Sequence, residues 1–197
     1  MGAVDVAFEL RGGPIAGDHG YALFQALAHR LHWLEAEEQA GVHPIRGART
    51  GDGGLYLTGR ARLMLRLPPE RTGEALALEG TSLALGAQVD VGTGRIRQLI
   101  AHRTLYSPLV VTGHADEEQF EDDVARVLRQ FGIDCQIICG KARRARAGEG
   151  EVAGFGLMLH SLTSEQSLLL QRTGMGMARK MGCGIFVPHR SAAAVGA

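Results

Sequence analysis

The sequence predicts an α+β protein in which two domains of similar build follow one another, residues 1–101 and 102–197. In the second half, apolar runs with strand-like and helix-like spacing follow in the order β-α-β-β-α-β, which is the ferredoxin-like arrangement. The first half follows this order less regularly, and a glycine-rich segment precedes the last predicted strand. At 197 residues, the chain is long enough for two small domains.

The second half contains the clearer pattern. Asp116–Phe131 places apolar residues at three- and four-residue spacing behind an acidic first turn, which favours a helix. Thr163 can cap a second helix. The predicted elements, in chain order, are Thr104–Thr112, Asp116–Phe131, Cys135–Cys139, Glu151–Leu162, Thr163–Gln171 and Ile185–Pro188.

The pattern of the first half predicts a second ferredoxin-like domain, at the N-terminus, with less regular elements. Val4–Leu10 alternates apolar residues on one face, as a strand does. Asp18 is the expected N-cap of a helix that carries Leu23, Ala26, Leu27 and Leu31. The remaining predicted elements are strands at Val42–Arg46, Leu55–Thr58 and Arg62–Leu67, a short helix that starts at Pro68–Pro69, and several short strands joined at glycines within Leu76–Ile100.

The composition sets limits on function. Lys plus Arg and Asp plus Glu number 21 each, so a site for a polyanion must be a local patch. The three cysteines, Cys135, Cys139 and Cys183, form no zinc pattern and are expected to be reduced, which suits the cytoplasm. Neither a signal peptide nor a membrane-spanning run is expected, and no metal or cofactor motif is apparent.

The glycine-rich segment, Gly174–Gly184, has the pattern G-h-G-x5-G-h-G, where h is apolar. Its glycines would let the backbone approach a ligand with exposed N–H groups, and its two central cations would contact phosphates. It matches neither a P-loop nor a dinucleotide fingerprint, and a purely structural turn is the alternative. The candidate RNA-contacting residues are Gly174, Gly176, Arg179, Lys180, Gly182 and Gly184.

In this setting the segment resembles the RAMP superfamily of CRISPR-associated RNA-binding proteins, and more closely their crRNA-processing endoribonucleases of the short Myxan-subtype variant. The resemblance extends over nearly the whole chain, and the last of its blocks is the most specific. The blocks are Asp18–Leu27, Arg60–Leu67, Ile138–Lys141 and Gly174–His189.

The resemblance implies cleavage of CRISPR precursor RNA within its repeats by the ribose 2′-hydroxyl. The products would carry a cyclic phosphate and a 5′-hydroxyl, with no metal or cofactor needed. The implied partner is the repeat RNA, as a stem-loop or single strand, and the implied context includes retention of product and other effector subunits. A non-catalytic RAMP subunit that binds guide RNA is the alternative. A small-molecule enzyme or regulator is poorly supported because no cofactor motif is present.

His19 is the expected catalyst, because relatives hold a histidine at or near the first helix and the segment beginning at Asp18 matches that place. A helix N-terminus would lower the pKa of a histidine and attract phosphate. A capping or surface role is the alternative for His19. Tyr21 could stabilise charge or position the ribose, or be a half-buried aromatic, and His29 is the reserve catalyst. The remaining histidines are His32, expected at the surface, and His43, His102, His114, His160 and His189, which lack a convergent partner in sequence.

A basic stretch is expected in the hairpin between the second domain's middle strands, where it could contact an RNA stem; a solvated hairpin tip is the alternative. Its cations are Lys141, Arg143, Arg144 and Arg146. Arg60, Arg62 and Arg66 share strand parity and could form a second RNA surface or face solvent. Trp33 is expected in the core.

Overall fold

The computed structural model describes residues 2–190, and the chain divides into two compact units, Met1–Gln98 and Leu99–Ala197. Each unit is built around an antiparallel sheet with its own apolar core. The architecture is therefore mixed α+β. Within residues 2–190 the longest helix has 14 residues, and none of the described helices has the length and apolar character needed to span a membrane.

The N-terminal unit has a five-stranded sheet and a small three-stranded one. The main sheet has the order β3-β6-β1-β8-β7, and the small sheet the order β2-β5-β4. The elements are β1 (Val4–Gly12), β2 (Ile15–Ala16), α1 (Gly20–Arg30), β3 (Gly41–Val42), β4 (Ala48–Arg49), β5 (Gly54–Tyr56), β6 (Arg62–Leu67), α2 (Thr72–Leu76), β7 (Ser82–Ala84) and β8 (Gln88–Gln98).

The core of this unit forms where the sheet meets α1. Val6 and Phe8 of β1 are fully buried, as are Leu23 and Leu27 of α1. Trp33 is partly buried and packs against this core. These apolar positions follow the spacing that the sequence predicts, since residues two apart share a strand face and residues four apart share a helix face.

Several boundaries in the N-terminal unit differ from the sequence-based expectation. The residue at the N-cap of α1 is His19, and Asp18 precedes it. The strand expected to reach Arg46 ends at Val42, shortly before Pro44, which has no N–H to donate to a ladder. Residues 88–98 form one continuous strand, which pairs with β1 and is not interrupted at its glycines. Gly94 is instead a point of close approach, since a Cβ there would lie 2.6 Å from a ring carbon of Phe8.

Arg66 lies inside the fold and cannot belong to an exposed RNA surface. Its side chain is 1% exposed, and its Nε and Nη2 donate to the Asp5 carboxylate over 2.8 and 2.9 Å. His43 Nε2 lies 3.4 Å from the same carboxylate. Burial alone would raise the pKa of Asp5, but His43 and Arg66 outweigh it and hold that pKa well below its usual range.

The C-terminal unit has the element order strand, helix, strand, strand, helix, strand, with the sheet order β10-β11-β9-β12. Its helices begin at side-chain caps: Asp116 accepts from the Gln119 N–H, and Thr163 with Gln166 forms a capping box. The elements are β9 (Thr104–Val110), α3 (Glu117–Gln130), β10 (Gln136–Ala147), β11 (Gly150–His160), α4 (Ser164–Thr173) and β12 (Val187–Pro188).

The β10–β11 hairpin extends beyond the rest of its sheet. β9 pairs with β11 only between Phe155 and His160, whereas β10 continues to pair with β11 as far as Ala147 and Gly150. Residues 141–154 continue this hairpin past the paired part of β9 and are called the basic ribbon below. Ala145 and Val152 within it pack against Leu109, Val111 and Cys183. The predicted strand ended at Cys139, and the structure corrects this because the basic residues continue the strand.

Candidate functional site

His19 is built into the N-terminal unit. It is 5% exposed, its Nδ1 lies 3.0 Å from the carbonyl oxygen of Ala16, and its Nε2 accepts the backbone N–H of Ile45 over 3.0 Å. Burial lowers the pKa of His19 and favours the neutral ring, although the backbone contacts with Ala16 and Gly17 oppose the shift. Both ring nitrogens already have partners in the fold, and the side chain makes no capping hydrogen bond to α1. This geometry favours a buried structural role for His19 over catalysis, and that role is neither the capping nor the surface role that the sequence left as the alternative.

His29 occupies a different environment, at the exposed C-terminal end of α1. It shares one helix face with Tyr21 and Gln25, at steps of four residues. The side-chain amide of Gln25 donates to the Tyr21 hydroxyl over 2.9 Å. The structure thus aligns two of the three catalytic candidates on one helix face, with His29 exposed and Tyr21 half-buried, and it leaves His19 beneath the surface.

A groove of about 380 Å³ lies between α1 and β7, and His29 lines it together with Arg30. The Arg30 guanidinium is held there, because its Nη2 donates to the Ser82 carbonyl over 3.3 Å. Ala22 and Ala26 keep the groove open. An imidazole beside a guanidinium supplies a proton donor or acceptor next to a positive charge, which is what phosphodiester cleavage requires. The sequence had not singled out Arg30, because its role depends on the packing of α1 near β7.

The four cations of the basic ribbon lie on its strand and not at its tip. The turn follows at Gly148, and Lys141, Arg143, Arg144 and Arg146 are all exposed on β10. One acid faces them: Glu151 lies opposite Arg146 in register, and its Oε2 is 3.6 Å from Nη1 of Arg144. The ribbon is still predominantly positive, as an RNA-binding surface would be.

The glycines of residues 174–184 serve the packing of the loop itself. A Cβ on Gly176 would lie 2.2 Å from the Val111 carbonyl oxygen, and one on Gly184 would lie 2.0 Å from the Met175 carbonyl oxygen. Both glycines have a positive φ, as do Gly174 and Gly182. The loop therefore folds tightly on itself and on the end of β9, with Gly176 and Met177 exposed at its tip.

The two cations of the loop differ in their surroundings. Arg179 Nη1 donates to the Thr173 carbonyl over 2.6 Å, and Nη2 donates to the Gln171 carbonyl over 3.5 Å. These oxygens belong to the last turn of α4, where a cation is favoured. Arg179 thus anchors the loop to the helix end. Lys180 is half-buried on the short 3₁₀ turn Arg179–Met181.

His114 has a partner that the sequence interpretation missed. Its Nδ1 lies 2.7 Å from Oδ2 of Asp123, which is buried, while the His114 side chain is 51% exposed. The hydrogen bond from His114 is the main cause that lowers the pKa of Asp123. The signal was present in the sequence, because Asp123 stands among the apolar positions of α3. At the preceding residue, Gly113, an added Cβ would lie 3.7 Å from the terminal methyl carbon of Met177 in the glycine-rich segment.

Three potential metal ligands meet between α3 and β10. The side chains of Glu117, Glu121 and Cys139 have ligand atoms within 4.8 Å of one another. Burial is the main cause that raises the pKa of the Cys139 thiol to about 11, and the two glutamates add to it. At neutral pH the metal-free thiol is therefore protonated.

Comparison with known proteins gives consistent results along the whole chain. The family model described as Cas6 Crispr matches residues 4–191. A curated relative, the CRISPR-associated endonuclease Cas6 of Myxococcus xanthus strain DK1622, is 37% identical over 194 residues, covering 98% of this chain and 84% of the relative. This relative spans both units.

Solved structures share the fold at low identity. A structure described as an RAMP protein binding different RNA substrates has a TM-score of 0.67 at 15% identity and covers 93% of this chain and 98% of its own. A Cas6-related protein of Pyrococcus furiosus has a TM-score of 0.65 at 13% identity, covering 94% and 98%. At these identities the likeness establishes the fold.

Proposed function

The chain belongs to the Cas6 family, and we propose that it is a metal-independent endoribonuclease that cuts CRISPR precursor RNA within its repeats. The observation that carries this proposal is the 37% identity to a curated CRISPR-associated endonuclease over 98% of the chain. The fold supports it, since a structural neighbour is described as an RAMP protein that binds RNA. The partner is the repeat RNA, and the cytoplasm, where thiols stay reduced, is the proposed location.

The proposed reaction is a transesterification. The 2′-oxygen attacks the adjacent phosphorus, its proton passes to a base, the P–O5′ bond breaks, and the leaving 5′-oxygen takes a proton. The products are a cyclic phosphate and a 5′-hydroxyl. His29 is the proposed proton-transfer group, since it is exposed in a groove beside Arg30, whose charge would stabilise the phosphorane-like transition state. Tyr21 lies on the same face and would position the ribose.

The RNA interface is proposed to include the basic ribbon and the exposed tip of the glycine-rich loop. Four cations on one strand supply a sequence-independent attraction for phosphates. Gly176 brings the loop backbone to the surface, and Lys180 supplies charge near it. The buried glycines Gly174, Gly182 and Gly184 would act by shaping this loop.

Both units are proposed to be ferredoxin-like domains, with boundaries near residue 101. In the C-terminal unit the order β10-β11-β9-β12 corresponds to strands 2-3-1-4 of a βαββαβ unit. In the N-terminal unit β3-β6-β1-β8 gives the same order once the small sheet and β7 are set aside as additions. Equivalent strand order in two consecutive units supports a tandem origin.

The proposal is tested by incubating the purified protein with a repeat-containing RNA in excess EDTA. We expect cleavage to continue, with cyclic-phosphate and 5′-hydroxyl ends on the products. Loss of cleavage in EDTA, with recovery on adding magnesium or zinc, would contradict the mechanism and direct attention to Glu117, Glu121 and Cys139. Tight binding without cleavage under any condition would support a non-catalytic guide-RNA-binding subunit instead.

A further inference from the structure

A second cluster of arginines lies on the N-terminal main sheet, on the face turned away from its apolar core. A polar pocket of about 150 Å³ opens there. It is lined by Ala7 and Glu9 of β1, Arg62 of β6, and Thr93, Arg95 and Arg97 of β8.

The register of the sheet explains why these side chains meet. Along β1, Val6 and Phe8 face the core, so Ala7 and its neighbours two residues away face the other side. Ala7 lies opposite Arg95, and Glu9 lies opposite Arg62. The small side chain of Ala7 forms the floor, and the longer arginines stand around it.

The charges in this pocket are not balanced. Arg97 of β8 lies opposite Asp5 of β1 in register. Both carboxylate oxygens of Asp5 are engaged by Arg66, which lies on β6, the strand that flanks β1 at its other edge. Within residues 2–190, Arg95 and Arg97 form no ion pair and both are exposed. Glu9 is the single acid among the residues that line the pocket.

The third arginine is fixed in place by the backbone. Arg62 Nη1 donates to the carbonyl oxygens of Ala61 over 2.7 Å and Gly59 over 3.1 Å. Its guanidinium is therefore oriented before any ligand arrives. Residues two apart on a strand are about 7 Å apart, so Arg95 and Arg97 can contact neighbouring phosphates of one strand. Guanidinium groups suit this task because their planar donors match phosphate oxygens in pairs.

We propose that this arginine pocket binds backbone phosphates of the RNA substrate in a stretch away from the cleaved bond. The inference rests on the proposed function. The pocket and the groove that holds His29 belong to the same unit, but the pocket lies on the sheet face opposite the core into which α1 packs. One phosphate cannot occupy both places, so the pocket holds a separate part of the transcript.

The test uses the full-length protein with Arg95→Gln and Arg97→Gln combined, and fluorescence anisotropy of a labelled repeat RNA at several salt concentrations. Each phosphate contact on a single strand contributes about 0.7 to the magnitude of the slope of log affinity against log salt. If both arginines make such a contact, the variant's slope is smaller in magnitude by roughly 1.4. The single-turnover cleavage rate at saturating RNA stays at the wild-type value. Glu9→Gln is expected to tighten binding, because it removes the acid from the pocket.

Two controls make the result specific. The pair Arg11→Gln and Arg49→Gln removes two exposed charges from other strands and should leave the slope nearly unchanged. The variant with Arg95→Lys and Arg97→Lys keeps both positive charges and should retain most of the salt slope. That result would show that the smaller slope of the glutamine variant comes from the lost charges and not from a folding defect.

The outcomes distinguish a failure of the pocket proposal from a failure of the proposed function. A wild-type protein that cuts RNA, with an unchanged slope in the Arg95→Gln, Arg97→Gln variant, overturns the pocket and leaves the proposed function standing. A wild-type protein that neither binds nor cuts repeat RNA overturns both.

Discussion

The backbone N–H of Ile45 donates a hydrogen bond to Nε2 of His19 over 3.0 Å, and the other ring nitrogen, Nδ1, lies 3.0 Å from the Ala16 carbonyl oxygen. The ring thus joins the start of α1 to the loop that follows β3 and to the end of β2. A histidine used in this way fixes three segments of the chain. Replacing His19 should therefore lower the stability of the fold, whether or not it changes the rate of cleavage.

We expect His19→Ala to lower the free energy of unfolding by about 2–4 kcal/mol, because it opens a cavity and leaves the Ile45 N–H and the Ala16 carbonyl unpaired. Urea titration followed by circular dichroism measures this. Exposed His32→Ala is the matched control and should be nearly neutral. If His19→Ala kept wild-type stability and abolished cleavage, His19 would be the catalyst after all.

The same residue predicts a pH dependence of stability. Burial lowers the pKa of His19 in the folded state, so the unfolded chain takes up a proton first as the pH falls. Its contribution to stability is complete above the unfolded pKa of about 6.5 and is lost progressively as the pH falls toward the folded value. His19→Gln should therefore reduce the fall in unfolding free energy between pH 7.5 and pH 5.5. An identical fall in the variant would show that the ring is not held neutral.

His29→Ala should slow single-turnover cleavage by a factor on the order of 10²–10⁴ at saturating RNA, because it removes a proton-transfer group. RNA affinity and unfolding free energy should stay near the wild-type values, since His29 is exposed on α1. His32→Ala, three residues away and also exposed, is the control and should cut at the normal rate. A wild-type rate for His29→Ala would exclude it and return the role to Tyr21 or His19.

Replacing Arg143, Arg144 and Arg146 with Gln should weaken RNA binding and reduce the salt slope by roughly 0.7–0.9 for each phosphate that the ribbon no longer neutralises. Glu151→Gln should act in the opposite direction, because it frees Arg144 from its acidic neighbour. The cleavage rate at saturation should be spared. Equal slopes for the wild type and the triple variant would show that the ribbon is only a solvated hairpin.

Gly184→Ala and Gly148→Ala form a matched pair, because the two glycines have φ values of +64° and +67°. Left-handed backbone costs a residue with a Cβ about 1–2 kcal/mol at either position. At Gly184 the added Cβ would also lie 2.0 Å from the Met175 carbonyl oxygen, whereas at Gly148 nothing lies within 4 Å. Gly184→Ala should therefore be clearly the more destabilising in urea titration. Equal losses would mean that the loop repacks without cost.

Local signals in the sequence predicted those elements that local interactions determine. α3 and α4 begin where capping residues predict, and β6 has its predicted bounds, Arg62–Leu67, because the signals lie within each segment. Arg66 looked solvent-facing because strand parity identifies a face but not what covers it, and Asp5, which pairs with it, is 61 residues away in sequence. The burial of His19 likewise depends on a distant N–H, that of Ile45. Tertiary partners decide such cases.

The β10–β11 hairpin extends past its last pairing with β9, and in this outer part Ala145 and Val152 pack on Leu109, Val111 and Cys183. Removing or inserting two residues on each strand would preserve the alternation of faces, and thus the side on which Arg144 and Arg146 are presented. If the basic ribbon contacts RNA as proposed, the length of RNA that it reaches would therefore change in steps of two residues per strand, without altering the reaction chemistry. Variation in repeat length among target RNAs could be matched by lengthening or shortening this one hairpin.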